Sequence, residues 1–330
     1  MSVRVKDING QNLPATHRYF GVMWDRYGVL AILIIFLAVA SLIIPNFFRL
    51  TNFVNVMRNM AFVSFVAYGQ TLVILSSGLD LSHGSLVSLS SMACAAFAVL
   101  GHPWIGVLAG IGVGCFCGLI SGSVIGFIRL NPIIATLGMM YLAGGLSSFF
   151  TDGKSIENIN YEEVKALYFL ANGEVFNIPT ILILSLICLI LTHYLLRHTR
   201  FGNHLYALGG DEANAEVVGI NYARMKITIF ALSGISCGIA GAFLMARTCT
   251  GEPKVGFGTF ILESVGAVVI GGTDIFGGRG SVGRTFLGLL ILAFLNNSLN
   301  LYGISTFTQE IMIGIAVLIF CYLSSIRKMI

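Results

Sequence analysis

Side chains able to ionise or to hydrogen-bond strongly are scarce in this sequence, and several stand inside or beside long apolar runs, where each costs free energy. Asp80, Ser82 and His83 lie within GLDLSHGS, residues 78–85, and bring a carboxylate, a hydroxyl and an imidazole together. That group has the chemistry of a proton relay or of a polar-solute contact. Asp80 has equally the chemistry of a cap for a helix starting at Ser82 or His83. Asn131 and Thr136 flank Pro132, and Asn296, Asn297 and Asn300 close a later apolar run. Amides at such depth bond either a neighbouring helix or a solute in transit. GRGSVGRT, residues 278–285, imitates a phosphate-binding loop, but Arg284 stands where the lysine belongs and an apolar run follows. It reads as a tight glycine turn anchored by Arg279 and Arg284. No metal-ligand cluster and no nucleophile with its base stands out, so the residues mark neither an enzyme nor a resident metal or cofactor.

The longest polar interruption is Arg197–Lys226, RHTRFGNHLYALGGDEANAEVVGINYARMK. Asp211 as N-cap and Gly219 as stop predict a helix of about two turns between them, with Glu212 and Glu216 one turn apart. Like charges at that spacing weaken an isolated helix, which points to a partner carrying basic groups. A plain solvated connector is the other reading.

These groups are positioned by a membrane domain. Of the 330 residues, 56% are hydrophobic and 10% charged, with a mean hydropathy of +0.87, whereas soluble domains carry about 25% charged residues. The chain is predicted to be an all-α integral membrane protein of about ten transmembrane helices. Its spans fall near residues 27–44, 54–77, 86–100, 104–128, 133–150, 178–196, 227–246, 261–270, 282–299 and 309–325. The eighth is short against the roughly 20 residues a crossing needs, and reads as a broken or tilted helix, or one begun near Gly256. In the fourth, Gly106, Gly110, Gly114, Gly118, Gly122 and Gly126 recur at every fourth position. Such a row winds about 40° per step and lets another helix backbone approach closely. The seven cysteines lie in or beside apolar runs and read as small buried residues. The basic residues are dispersed, which excludes a nucleic-acid partner.

Dispersed charge instead reports topology. Residues 1–26 read as an uncleaved N-terminal tail and 27–330 as a single transmembrane domain. With the N-terminus inside, thirteen Arg and Lys fall on the cytoplasmic side and six opposite. Both termini and residues 197–226 are therefore predicted to be cytoplasmic. The connection 151–177, rich in acids, falls outside and reads as a loop.

Five stretches in order, DLSHGS (80–85), PIIATLGMMYLAGG (132–145), RHTRFGNHLYALGGDEANAEVVGI (197–220), AVVIGGTDIFGGRGSVGRTFLG (267–288) and FLNNSLNLYGIS (294–305), resemble the permease subunits of bacterial ABC importers for ribose and related sugars. The resemblance covers almost the whole chain from about Trp24. It implies a vitamin-B12/ribose-type permease architecture in the bacterial inner membrane. It also implies a path built with a second copy of the chain, carrying a monosaccharide, a ribose-like pentose or a hexose, by alternating access. ATP and Mg would sit on a separate cytoplasmic ATPase subunit, which docks on residues 197–226, and a periplasmic sugar-binding protein would deliver the solute; lipid surrounds the whole. On this reading Gly209, Gly210, Asp211, Glu212, Ala213, Glu216 and Gly219 couple to the ATPase, and Asp80, Ser82, His83, Asn131, Thr136, Asn296 and Asn297 are path candidates. The sequence departs from the common family pattern at His83, Gly144, Asn177 and Ile261, positions that bear on which solute is carried. The alternatives are a permease for a branched-chain amino acid or a sugar-derived signal, a stand-alone carrier using Asp80 and His83 as proton relay, and a membrane-embedded enzyme.

Overall fold

A computed structural model describes residues 15–45, 47–305, 307–315 and 318, with side chains from Tyr27 onward except at Thr259. The basic residues before Ala15 and Arg327 and Lys328 at the far end lie outside the described residues. Helix α1 (Ala15–Ile43) is followed by α2 (Leu50–Leu75), α3 (His83–Ala98), α4 (Pro103–Ile128) and α5 (Pro132–Phe149). Next come α6 (Tyr161–Asn172) and a two-strand antiparallel hairpin of β1 (Glu174–Val175) and β2 (Ile178–Pro179). Then follow α7 (Thr180–His198), α8 (Arg200–Gly210), α9 (Glu212–Val217), α10 (Tyr222–Thr248), α11 (Thr259–Ile270) and α12 (Val282–Leu301). Residues 307–315 are again helical.

Local sequence sets many of these boundaries. Pro103 and Pro132 occupy the first turns of α4 and α5, where a missing amide hydrogen costs nothing. Asn131, Asn160, Asp211, Asn221 and Ser281 each accept a backbone N–H from the first turn of the helix they precede. Helices α4, α5, α7, α10 and α12 are long and apolar enough to cross a bilayer. Leu108, Phe116, Phe127, Ile134, Tyr141, Ile190 and Leu191 lie exposed on α4, α5 and α7, as side chains that face hydrocarbon do. Helix α2 is the centre of the bundle, since every residue from Met60 to Ser76 is buried.

The glycine row packs as its spacing requires, against two neighbours in succession. A Cβ at Gly106 or Gly110 would meet Cys94 O at 2.4 Å or Ser90 O at 2.8 Å, both on α3. One at Gly114 or Gly118 would meet Gly234 O at 2.3 Å or Phe230 O at 2.2 Å, and Gly122 and Gly126 likewise abut α10. The ridge winds out of one contact into the next because four residues overshoot a full turn by about 40°. The α4–α10 contact is the most extensive between any two elements.

Three local readings change. Helix α1 begins at Ala15, so the run from Tyr27 is the later part of a longer helix. Residues 151–177 are not a plain loop but contain α6 and β1, because Asn160 caps a helix whose Val164, Leu167 and Ala171 bury one side. The eighth apolar run is a helix of 12 residues, about 18 Å long, and does not start near Gly256: Gly258, at φ 86°, ends the preceding irregular segment. That segment is buried at Gly251, Pro253 and Gly256, Gly256 N donating to Ser88 Oγ at 3.1 Å and Ser147 Oγ donating to Pro253 O at 2.8 Å.

Candidate functional site

The residues singled out from sequence fall into three places. Asp80, Ser82, His83 and Thr136 meet at the buried break between α2 and α3. Asp80 Oδ1 accepts from Ser82 N at 2.8 Å and from Ser82 Oγ at 2.6 Å, and its other oxygen lies 3.4 Å from His83 Nε2. His83 Nε2 is 2.7 Å from Ser233 Oγ on α10. Thr136 Oγ1 accepts from Leu81 N at 3.2 Å and donates to Pro132 O at 2.8 Å. The side chains thus satisfy a stretch of non-helical backbone within the bundle, which is tolerated only where protein surrounds it. Asp80 bonds the backbone two residues on rather than a helix amide, so it holds the turn before α3 instead of capping α3. Asn131 lies apart from this group: exposed, it accepts from Ile133 N at 2.9 Å and caps α5.

Asn296 and Asn297 stand on a cavity of about 130 Å³ between α2, α11 and α12. Its polar lining is Asn55, Asn59, Glu263, Asn296, Asn297 and Asn300, over an apolar floor that includes Val56, Met60, Val63 and Leu289. Asn297 exchanges two amide bonds with Asn52, at 2.8 and 2.9 Å, joining α12 to α2. Asn296 Nδ2 donates to Glu263 Oε1 at 3.1 Å, while its Oδ1 is buried without a partner among the described residues. Glu263 was not among the sequence candidates. Its signal was a single acid inside an apolar run, two positions from Ile261.

The third place is the polar interruption. The helix foreseen between Asp211 and Gly219 is α9: Asp211 Oδ1 accepts from Asn214 N at 3.0 Å, and Gly219 has φ 90°. Helix α8 was not foreseen, because its glycines and scattered charges conceal an amphipathic face made by Leu205, Leu208 and Gly202. The two acids do not wait for an outside base. Glu216 pairs with Arg129 at 2.6 Å, and Glu212 lies 3.3 Å from Lys226 Nζ. Beside the exposed Asp211, Glu212 and Asn214, α9 and its end also leave apolar surface open, with Val217 85% and Val218 75% accessible, together with Ala213, Gly210 and Gly219.

Behind α9 the backbone of three segments meets. Lys226, fully buried, donates to Ser76 O at the end of α2. Gly278 N donates to Leu75 O at 2.9 Å, and Ser77 Oγ lies 2.9 Å from Gly209 O and 2.6 Å from Phe276 O. An ammonium and an amide thus serve the last carbonyls of α2, where the helix dipole is negative. Gly209 is required here by contact, since a Cβ would stand 1.8 Å from Leu75 O. Tyr206 of α8 donates to Gly280 O at 2.9 Å. Burial pushes its phenol above the usual range, against the opposing pull of Arg197 and Arg284, so it stays a donor at neutral pH. The glycine turn after α11 is therefore a brace for α8 and α2. A helix precedes it, not the strand a phosphate loop needs.

The structure is thus an all-helical membrane bundle of interrupted helices, with a polar cavity at one end of α2 and a braced amphipathic projection at the other. The chain belongs to the branched-chain amino acid transport system / permease component family, whose sequence model matches residues 52–321. It is 35% identical over 305 residues to the ribose import permease protein RbsC of Escherichia coli (strain K12), covering 92% of this chain and 94% of that one. It is 33% identical over 311 residues to the L-arabinose transport system permease protein AraH of the same strain, covering 94% and 93%. It is 31% identical over 316 residues to its D-allose transport system permease protein AlsC, covering 95% and 94%. No solved structure shows a significant match.

Proposed function

We propose that this chain is the permease subunit of an ABC importer that carries a monosaccharide across the bacterial inner membrane. The observation that carries the reading is that relatives named for three different sugars match it over more than nine-tenths of its length. The charge distribution supports an orientation with residues 197–226 and both termini in the cytoplasm. The helices α1–α5, α7, α10–α12 and the last one from residue 307 make the ten spans, with α6 outside and α8 and α9 inside. Two copies form the path. A separate ATPase subunit binds ATP and Mg, and an external binding protein supplies the sugar.

The ATPase docks on the exposed apolar end of α9. Movement there is passed inward along two routes. Arg129 and Lys226 tie α9 to the ends of α4 and α10, which the glycine row joins into one body. Lys226 also reaches Ser76 O, at the end of the central helix. The test is uptake of labelled ribose, arabinose and allose, with leucine as control, into vesicles holding the complete transporter with ATP. Uptake of one of the sugars that stops without ATP is the expected result. Uptake undiminished in ATP-free vesicles would instead make the protein a stand-alone carrier. Val217→Asp and Val218→Asp should leave the permease in the membrane but abolish co-purification of the ATPase, and retention of the ATPase by both would overturn the docking assignment.

A further inference from the structure

We infer that the cavity between α2, α11 and α12 is a subsite for a polyhydroxylated solute, with Glu263 and Asn296 as its principal hydroxyl contacts. This rests on the monosaccharide reading above and specifies where the sugar is held. The cavity lies at the far end of α2 from α9: Asn55, Asn59 and Met60 line it, while Leu75, more than a dozen residues along the same helix, touches Gly278. It therefore faces the side from which an importer receives its solute.

Its composition selects the ligand class. The polar lining is one carboxylate and five amides, with no basic side chain among them. That set offers no cation to an anionic ligand and is rich in paired donors and acceptors, which a sugar hydroxyl, donor and acceptor at once, matches. The apolar floor suits the C–H face of a sugar ring. A volume of about 130 Å³ is several times what a water molecule needs.

The partners already made show which groups remain for a ligand. Asn297 is closed on Asn52, Asn300 Oδ1 accepts from Gln309 Nε2 at 2.8 Å, and Asn59 Oδ1 accepts from Arg247 Nη2 at 2.8 Å. Among the described residues Asn296 Oδ1 has no partner. An unpaired buried amide oxygen is costly unless something intermittently fills the position. Beside it stands Glu263, a carboxylate with capacity for about four hydrogen bonds. A structural role alone explains the Asn296 Nδ2 bond to Glu263 but leaves the Oδ1 cost unanswered.

The complete transporter, reconstituted with its ATPase and binding protein, is assayed for labelled ribose, arabinose and allose moved per ATP hydrolysed. Glu263→Gln keeps shape and the acceptor for Asn296, and Asn55→Leu changes an exposed residue of the lining. Each should lower the yield of sugar per ATP, Glu263→Gln by roughly tenfold, the equivalent of one charge-assisted hydrogen bond, and Asn55→Leu by less. Yields within twofold of wild type for both variants, at wild-type abundance, would overturn the subsite while leaving the monosaccharide reading intact. A wild-type protein that moves none of the three sugars while hydrolysing ATP would overturn both. Wild-type uptake that requires sodium, with the requirement lost in Glu263→Gln, would overturn the subsite in favour of a cation site.

Discussion

Replacing Glu212 by Gln tests the link between α9 and the centre of the bundle at its most sensitive point. Lys226 Nζ is wholly buried, 3.3 Å from Glu212, and its other contacts are Ser76 O and the face of Tyr222 at 5.3 Å. Two unit charges at that separation attract by about 5 kcal/mol at an effective dielectric of 20. The Glu212 side chain is 46% exposed, so water screens more than half of this, and a loss of about 1–2 kcal/mol is expected. Glutamine keeps an acceptor but not the charge, leaving an ammonium buried against one neutral carbonyl and a ring. Replacing Lys226 by Met as well removes the ion that needed compensation. The methionine fills the volume of the lysine stem, and a buried pair exchanged for apolar groups is often no loss. Glu212→Gln should therefore melt about 2–5 °C below wild type, and Glu212→Gln/Lys226→Met should recover at least part of that. The assay is thermal unfolding in detergent with a thiol-reactive dye, suited to a chain whose Cys94, Cys117 and Cys237 are buried. Glu212→Gln melting with the wild type would show that the pair holds nothing. A double variant clearly worse than Glu212→Gln would show that the bond to Ser76 O outweighs the cost of burying the ammonium, and would refute the reasoning.

Substitution of Gly118 or Gly234 by Leu places a side chain where a Cβ alone would stand 2.2 or 2.1 Å from a carbonyl oxygen of the facing helix. Each should cut membrane abundance severely, with a destabilisation of about 3 kcal/mol or more, whereas Gly112→Ala, with nothing within 4 Å, should match wild type by immunoblot. Asp80→Ala leaves the buried Ser82 amide and hydroxyl without their acceptor and should cost about 1–3 kcal/mol, while Asp80→Asn keeps an oxygen there and should cost less. The same dye assay orders the three proteins, and an Asp80→Asn as unstable as Asp80→Ala would mean that the carboxylate charge, not its hydrogen bonding, is needed.

Much of this was legible in the sequence because the membrane leaves few choices. Apolar runs of fixed length must be helices, and a glycine at every fourth place must meet another backbone. Asp211 and Gly219 marked where α9 starts and stops, since capping is a local matter. What escaped was set by partners distant in sequence. Glu212 and Glu216 looked like a stripe awaiting an outside base, yet their bases are Lys226 and Arg129, the latter 87 residues away. Asn131 was marked for its depth alone, and its use as the cap of α5 follows from the proline after it, which starts a helix there. Thr136, flagged on the same ground, proved to serve backbone 55 residues earlier. Glu263 was hidden because the run around it was weighed by its length and not by its single acid.

The glycine row also constrains how the chain is made. Gly114 and the Gly234 it meets are 120 positions apart, an interval of roughly 6–24 s at ordinary rates of synthesis. During that time α4 can settle against α3 through Gly106 and Gly110, while the rest of its groove is open to lipid or to whatever escorts a nascent membrane protein. Only when α10 arrives does the groove close, and with it the seat for α9, which stands on the ends of both helices. A chain stopped anywhere before residue 222 would thus carry an unfilled seam along a finished span. The cell could read that seam as a mark of incompleteness before any transport is attempted.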